Sequence, residues 1–206
     1  YQWSQNVYLQ SSASATNIQS LLNRFHTSGS GSVHFAFKTS ATSQSHIPIL
    51  FIGYSTSPYK ALIYIYLNAN TLYVQMDTVT AVITRTLNIN TWYIADIVFS
   101  IASTALTINI YINNEKIGTA LGTYTNWFNN ALLQDLVFRL GNNPNNSIQS
   151  DPTPLALQDM RLFAFALSSS QLLALQRGND ASTSTISNYQ TIRWQDSPQY
   201  YDSNKF

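Results

Sequence analysis

The stretch that decides the fold runs from Asp159 to Leu175, "DMRLFAFALSSSQLLAL". Its first half alternates as a β-strand does, because successive strand side chains point to opposite faces of a sheet. One face would hold Leu157, Asp159, Arg161, Phe163 and Phe165, and the other Met160, Leu162, Ala164 and Ala166. Ser168 and Gln171 then have the spacing of a capping box, which opens a helix. The stretch therefore predicts a long strand that leads into one short helix near residues 168–176.

The chain before this stretch reads as short strands separated by turn residues. Segments such as "IPILFIGY" and "ALIYIYL" are apolar on both faces, whereas "ALTINIYI" alternates. Asn113 and Asn114 come directly after that last segment and predict a tight hairpin turn, since Asn tolerates a positive φ. About a dozen short strands with one late helix predict an all-β, antiparallel two-sheet jelly-roll sandwich.

Three parts of the chain differ in composition and pattern. Residues 1–30 predict an N-terminal strand and loop extension, residues 31–178 the β-sandwich, and residues 179–206 a C-terminal extension rich in Ser, Thr and Tyr. The two ends are poor in charge and contain strand-compatible residues such as Trp3 and Trp194. Two interpretations of the ends are open: they pack on their own domain as edge strands, or they pair with the sheet edge of a neighbouring molecule.

Charged residues make up only 9% of the 206-residue chain, against about 25% in typical domains. Polarity comes instead from 25 Ser, 20 Thr, 20 Asn and 14 Gln. There is no Cys, which excludes disulfides, thiolate metal sites and a Cys nucleophile. This composition resembles that of extracellular and virion proteins of thermoacidophilic archaea, and a mesophilic secreted adhesin fits it equally well. The chain begins at Tyr1, so a secretion signal could have been removed, and we expect an extracellular location.

Two classes of partner are disfavoured by charge and hydropathy. The net charge is +1 and the basic residues are scattered singly, which offers no electrostatic footprint for nucleic acid. No apolar run reaches the length of about 18 residues that a membrane-spanning helix requires.

The segment "LQDMRLFAFALSSSQLLAL" resembles the closing element of laminin-G-like domains, in the concanavalin A-like lectin and glucanase superfamily. "NTWYIADIVF", "LTINIYINNEKIG" and "VFRLGNN" resemble further landmarks of that family in the same order. Gln158 stands where an acidic residue is common, and the calcium-binding Asp cluster of some members is not evident. The resemblance implies two stacked, curved sheets with loops along a rim. It also implies binding of sugars or proteins, glycosidase activity, or a role as a structural module.

Catalysis is not expected. A glycosidase needs two carboxylates that flank the scissile bond, and the closest acidic pair within residues 31–178, Asp151 and Asp159, is eight residues apart. We expect Asp159 to pair with Arg161 or to cap a nearby turn. His26, His34 and His46 lack zinc-site spacing, and the pattern predicts a surface-facing His34. No G-x-S-x-G motif is present.

We therefore expect a non-catalytic extracellular module that binds a glycan or a surface glycoprotein. The alternative is a structural subunit of a virion or cell-surface filament that assembles through its terminal extensions. Candidate sugar-contacting residues combine aromatic rings with amides; they are Asn126, Trp127 and Asn129, Tyr54 and Tyr59, and Asn143. Trp127 could equally cover the edge of the core, and Trp92 is expected inside it.

The loop from Gly141 to Asp151 has two further features. It is rich in oxygen ligands but holds one carboxylate, so a solvated loop is favoured over a weak calcium site, and no cofactor is expected. Asn145 lies in the chain's one N-x-[ST] sequence, which predicts a glycosylation site if the host glycosylates.

Overall fold

The structure is a computed structural model that describes residues 9–10, 20, 24–25, 27–40, 46–54, 61–124, 136–141 and 155–176. Most of these residues lie in β-strands. The strands are β1 (Leu9–Gln10), β2 (Ser30–Thr39), β3 (Ile47–Tyr54), β4 (Ala61–Asn68), β5 (Thr71–Met76), β6 (Val79–Val82), β7 (Tyr93–Ala102), β8 (Ala105–Ile112), β9 (Glu115–Thr123), β10 (Leu136–Leu140) and β11 (Leu155–Phe163), and helix α1 (Ser169–Gln176) comes last.

The strands form two sheets in which every pairing is antiparallel. The six-stranded sheet has the order β1-β10-β3-β4-β5-β6, and the five-stranded sheet has the order β11-β2-β7-β8-β9. The predicted all-β, antiparallel two-sheet sandwich with one short late helix is therefore confirmed. The division of the chain at residues 30 and 178 stays a prediction.

One hydrophobic core fills the space between the sheets. Alternate residues of each strand point into it, such as Phe35, Ile97 and Ile110 from the five-stranded sheet and Ile63 and Val74 from the six-stranded sheet. Each is fully buried, and burial of one such side chain contributes about 1.5–3 kcal/mol. The core fixes which face of each strand remains on the outside.

The predicted hairpin turn at Asn113 and Asn114 is present. Their φ angles are 50° and 70°, the pair of positive values that a type I′ turn requires. The turn joins β8 to β9 and sets their register, with Ile112 opposite Glu115.

Helix α1 begins as the capping box predicts. The Ser168 backbone N–H donates to Gln171 Oε1 at 2.8 Å, and the Gln171 N–H donates back to Ser168 Oγ at 3.4 Å. Leu172 and Leu175 pack on the outer face of the five-stranded sheet, where they meet Val98 and Phe163. The helix thus covers one end of that outer face.

The predicted facing of Leu157 is wrong, whereas the alternation predicted from Asp159 onward is present. Gln158 pairs with Ala36 and Arg161 pairs with His34, so β11 has one residue more than β2 at this point, which is a β-bulge. The extra residue reverses the facing of the rest of the strand, so that Leu157 and Met160 both point into the core. Asp159 has a φ of 53° and is exposed.

The N-terminal part contributes one short strand. Leu9 and Gln10 pair with Leu140 and Arg139 at the edge of the six-stranded sheet. Residues 24–25 and 27–28 are helical. The C-terminal extension lies outside the described residues.

Candidate functional site

The outer face of the five-stranded sheet is covered by α1 at one end and open at the other. His34, Ala36 and Lys38 alternate with the core residues of β2 and therefore point outward. At the open end, Ala36 pairs with Gln158 on one side and with Ile94 on the other. This row crosses three neighbouring strands and is partly exposed, with the polar side chain of Gln158 at its edge.

Trp92 stands at this open end, and its expected place in the core is wrong. Tyr93 takes the inward position at the start of β7, where its ring lies 5.9 Å from that of Phe37. Trp92 therefore faces outward and is 44% exposed, and it is the one exposed aromatic among the side chains that the structure describes. Lys38 Nζ lies 5.4 Å from the centre of the Trp92 ring system. We call Ala36, Lys38, Trp92, Ile94 and Gln158 the Trp92 surface.

A charged network adjoins the Trp92 surface on the side of α1. His34 Nδ1 lies 2.6 Å from Asp96 Oδ1, and His34 Nε2 lies 3.7 Å from Asp159 Oδ2. Arg161 donates from Nε and Nη2 to the two oxygens of Asp159 at 2.7 and 2.9 Å. The predicted pairing of Asp159 with Arg161 is thus confirmed, whereas the predicted exposure of His34 is wrong, since that residue is 2% exposed.

The network holds His34 in its charged form. Burial lowers the pKa of His34, but the Asp159 and Asp96 carboxylates next to its two ring nitrogens outweigh burial and raise the pKa to about 9. The charged His34, together with Arg161, holds the pKa of Asp159 well below its usual range. The imidazolium of His34 and the guanidinium of Arg161 thus both face the Asp159 carboxylate.

The bulge in β11 decides which polar groups reach the outer face. In a regular strand, Asp159 would point into the core beside Gln158, which points out. Because of the bulge, Gln158 and Asp159 are both exposed. Bulges often redirect side chains next to functional sites.

The outer face of the six-stranded sheet carries a second aromatic cluster. Tyr66 stacks on Tyr64 at 4.8 Å, on Tyr73 at 5.0 Å and on His46 at 4.2 Å between ring centres. Phe51 lies beside Tyr64 with the Arg139 guanidinium 5.8 Å from its ring centre. These rings lie mostly against one another, which leaves less free ring surface than at Trp92.

Tyr64 is the buried member of this cluster whose polar atom lacks a partner. The residue is 3% exposed, and its hydroxyl makes no hydrogen bond to any residue that the structure describes. Burial raises the pKa of Tyr64, and it also raises that of the less buried Tyr66. Burial lowers the pKa of His46.

Most of the residues that the sequence singled out lie outside the described residues: Tyr59, Asn126, Trp127, Asn129, Asn143 and Asn145. Tyr54 ends β3, and its backbone pairs with Leu136 at the start of β10. The segments that hold Tyr59 and Trp127 thus attach at the same end of this strand pair. Asn143 comes after Gly141, beyond the opposite end of β10.

Within the described ranges, no group of three or more His, Asp and Glu side chains is placed to hold a metal ion. The loop weighed as a calcium site lies outside those ranges apart from Gly141. No helix among the described residues has both the length and the apolar character needed to cross a bilayer.

Sequence reasoning missed the network around His34. Its partner Asp96 is 62 residues away in the chain, and only the pairing of β2 with β7 brings the two together. One signal was available in the sequence. His34 and Asp96 each alternate with apolar residues, in segments whose pattern predicts strands, so both should face away from the core.

The sequence matches no protein-family model and no curated protein. Solved structures are similar in fold. The carbohydrate-binding module CBM40 of the Ruminococcus gnavus IT-sialidase, bound to α2,3-sialyllactose, aligns with a TM-score of 0.58 at 13% identity over 83% of this chain and 97% of that chain. Botulinum neurotoxin type C, whose cell entry depends on interaction with two ganglioside molecules, aligns with a TM-score of 0.52 at 15% identity over 74% of this chain and 36% of that chain.

Trypanosoma rangeli sialidase aligns with a TM-score of 0.51 at 13% identity over 73% of this chain. The chain spans only 23% of that sialidase. At these identities the similarity establishes the fold alone, an antiparallel β-sandwich. The narrower resemblance to laminin-G-like domains stays a prediction, as does the archaeal or viral origin.

Proposed function

We propose that this chain is a non-catalytic, extracellular glycan-binding module and that the Trp92 surface contacts the glycan. The observation that carries the proposal is the exposure of Trp92 on an open, polar sheet face. A tryptophan at a core position needs no ligand to explain it, whereas an indole left 44% exposed loses part of its burial energy in the free protein.

The neighbours of Trp92 suit the binding of a sugar. The apolar face of a pyranose ring stacks on an aromatic ring, and its hydroxyls need nearby donors and acceptors. Lys38 donates beside the indole, while Gln158 can both donate and accept. Ala36 between them is small and leaves space for a ring above the sheet.

The structural neighbours support the same class of ligand. One of them was solved with α2,3-sialyllactose, and another depends on gangliosides for cell entry. A glycan or a surface glycoprotein is therefore the partner that we propose. Asn126, Trp127 and Asn129, with Tyr54, Tyr59 and Asn143, remain proposed contacts, and Asn145 remains a proposed glycosylation site.

The proposal that the module is not an enzyme is supported by the state of its carboxylates. Asp96 and Asp159 lie on either side of His34, but Asp96 is fully buried and the charged imidazole occupies the space between them. A glycosidase pair must instead leave room for the scissile bond. Glycosidase assays on β-glucan, chitin and sialoside substrates test this: turnover that Asp159→Asn abolishes would overturn it.

A glycan array tests the binding proposal. The array carries α2,3-sialyllactose, ganglioside glycans and neutral oligosaccharides, and it is probed with wild type, Trp92→Ala, Trp127→Ala and the control Leu121→Ala. Leu121 is 75% exposed on the same sheet. Its replacement therefore controls for the removal of any exposed apolar side chain from this sheet. We expect Trp92→Ala to weaken binding about thirtyfold or more, as for a central aromatic contact.

The array separates the possible outcomes. If Trp127→Ala weakens binding and Trp92→Ala does not, the ligand lies at the sequence-predicted site. If wild type binds no glycan, the binding proposal is wrong.

A structural role through the terminal extensions is the second candidate. The observation that favours it is the pairing of Leu9 and Gln10 with β10, which places N-terminal residues at a sheet edge. A segment that pairs with its own sheet edge can pair with the same edge of a neighbouring molecule.

A further inference from the structure

We infer that Asp159 forms a second, hydroxyl-binding subsite of the Trp92 surface, and that an oligosaccharide spans the two. The inference rests on the proposed glycan-binding function and extends it to a residue and a ligand length. Three features of Asp159 carry it: its turned-out position, the spare acceptor sites of its carboxylate, and its distance from Trp92.

The position of Asp159 is created by the bulge. A φ of 53° is unfavourable for a residue other than Gly, and Asp is among the few that tolerate it. The result is a carboxylate that is 41% exposed while Arg161 and His34 hold it from beneath. It is therefore fixed in place before any ligand arrives, which reduces the entropy lost on binding.

The carboxylate retains capacity to accept hydrogen bonds. An ionised carboxylate offers about four acceptor sites. Arg161 uses one site on each oxygen, and His34 approaches one oxygen at the longer distance of 3.7 Å. Two adjacent hydroxyls of a sugar ring can donate to the remaining sites, and hydrogen bonds to a charged acceptor are about twice as strong as neutral ones.

The sheet register gives the spacing between the two subsites. Tyr93 pairs with Phe37, which places Trp92 level with Lys38, while the bulge lies level with Phe35 on the far side of β2. Two strand spacings and three residues along a strand separate Trp92 from Asp159 by about 14 Å. One sugar ring cannot contact both residues, whereas an oligosaccharide can.

Gln158 connects the two subsites. It is exposed, precedes Asp159 and pairs with Ala36, two residues before Lys38. Its amide can hydrogen-bond to a sugar that lies between the indole and the carboxylate.

The test compares Asp159→Gly with Trp92→Ala on the same glycan array, which carries α2,3-sialyllactose, ganglioside glycans, neutral oligosaccharides and monosaccharides. Gly accepts a φ of 53° without strain, so Asp159→Gly removes the carboxylate and keeps the bulge. We expect it to weaken binding of oligosaccharides about tenfold or more. Binding of monosaccharides should change less, because they occupy one subsite. Glu115→Gln is the matched control, since it removes the exposed ion pair with Arg85 on the same sheet.

Each outcome decides something. If Asp159→Gly loses the same amount of affinity for ligands of every length and has a lowered melting temperature, Asp159 has a structural role and the inference is overturned. If Asp159→Gly binds as wild type does while Trp92→Ala no longer binds, the inference of a second subsite is overturned and the proposed function still holds. If Asp159→Gly does not fold, Asp159→Asn replaces it, and binding within twofold of wild type then refutes the subsite. An array without any bound glycan refutes the proposed function and the subsite with it.

Discussion

At the scale of single residues, the proposed glycan-binding surface depends on the facing of one side chain, that of Trp92. Trp92 and Tyr93 are adjacent aromatics at the start of a strand, and alternation alone does not tell which one points inward. Tyr93 does so, and its hydroxyl accepts a hydrogen bond from the Asn88 backbone at 2.9 Å. That contact with the loop before the strand cannot be read from the sequence, and it leaves the larger indole outside.

The network around His34 predicts a loss of stability at high pH. The folded-state pKa of about 9 exceeds the ordinary value of 6.5. The stabilisation from His34 is therefore complete below about pH 6.5 and is lost as the pH rises through 9. The shift corresponds to about 3 kcal/mol of unfolding free energy, which urea denaturation at pH 6, 8 and 9.5 should show.

The matched control is the double variant His34→Gln with Asp96→Asn, which keeps a neutral polar pair. Its unfolding free energy should be flat over the same range. A wild-type profile that is equally flat would mean that His34 is not charged in the folded state.

At acidic pH, Asp159 gives the unfolding free energy a pH dependence of the opposite sign. Its pKa is lowered in the folded protein, so its contribution is present above its ordinary pKa and is lost as the pH falls below that value. The nine acidic residues predict little change between neutral pH and about pH 3. That small change in acid stays a prediction. The loss of stability at high pH depends on the contacts of His34, so composition could not reveal it.

The hydroxyl of Tyr64 predicts a stabilising substitution. A buried donor without a partner costs about 1–3 kcal/mol, and Tyr64→Phe removes it while keeping the ring that stacks on Tyr66. We expect the unfolding free energy to rise by about 1 kcal/mol. Tyr73→Phe is the control, because Tyr73 is only partly buried. A destabilised Tyr64→Phe would show that the hydroxyl does have a partner.

At the scale of secondary-structure elements, the two sheets approach each other closely where β6 meets β9. A Cβ on Gly122 would lie 2.2 Å from a methyl carbon of Val79. Gly122→Ala should therefore destabilise the protein by about 1–3 kcal/mol, as overpacking does. Adding Val79→Ala should recover much of that loss, and a thermodynamic cycle of the four proteins measures the recovery. Purely additive losses would contradict the close approach.

The elements that sequence reasoning placed correctly are those with local signals. The capping box at Ser168 and the Asn113-Asn114 turn each depend on residues within a few positions of one another. The bulge in β11 depends instead on the register between β11 and β2, which are separated by more than a hundred residues. A strict alternation through Asp159 ignores that register, and it therefore places Leu157 on the same face as Asp159, although Leu157 points into the core.

At the scale of the whole molecule, the terminal extensions separate the two proposed functions. A chain of residues 13–179 lacks β1 and most of the C-terminal extension. If the extensions drive assembly, light scattering should show polymers for the full chain and monomers for the truncated chain. Two monomeric samples at high concentration would remove the structural proposal and leave glycan binding.

The bulge also shifts, by one residue, which face of the sheet each later side chain of β11 points to. One inserted residue lets Leu155 and Leu157 before it, and Met160 and Leu162 after it, all reach the same interior. A chain that lacks residue 159 and is otherwise identical would turn one of these two pairs toward water. Deletion at this position should therefore cost more folded protein than replacement of Asp159 by Gly, which accepts the same φ, and a deletion scan through β11 should find its sharpest loss there.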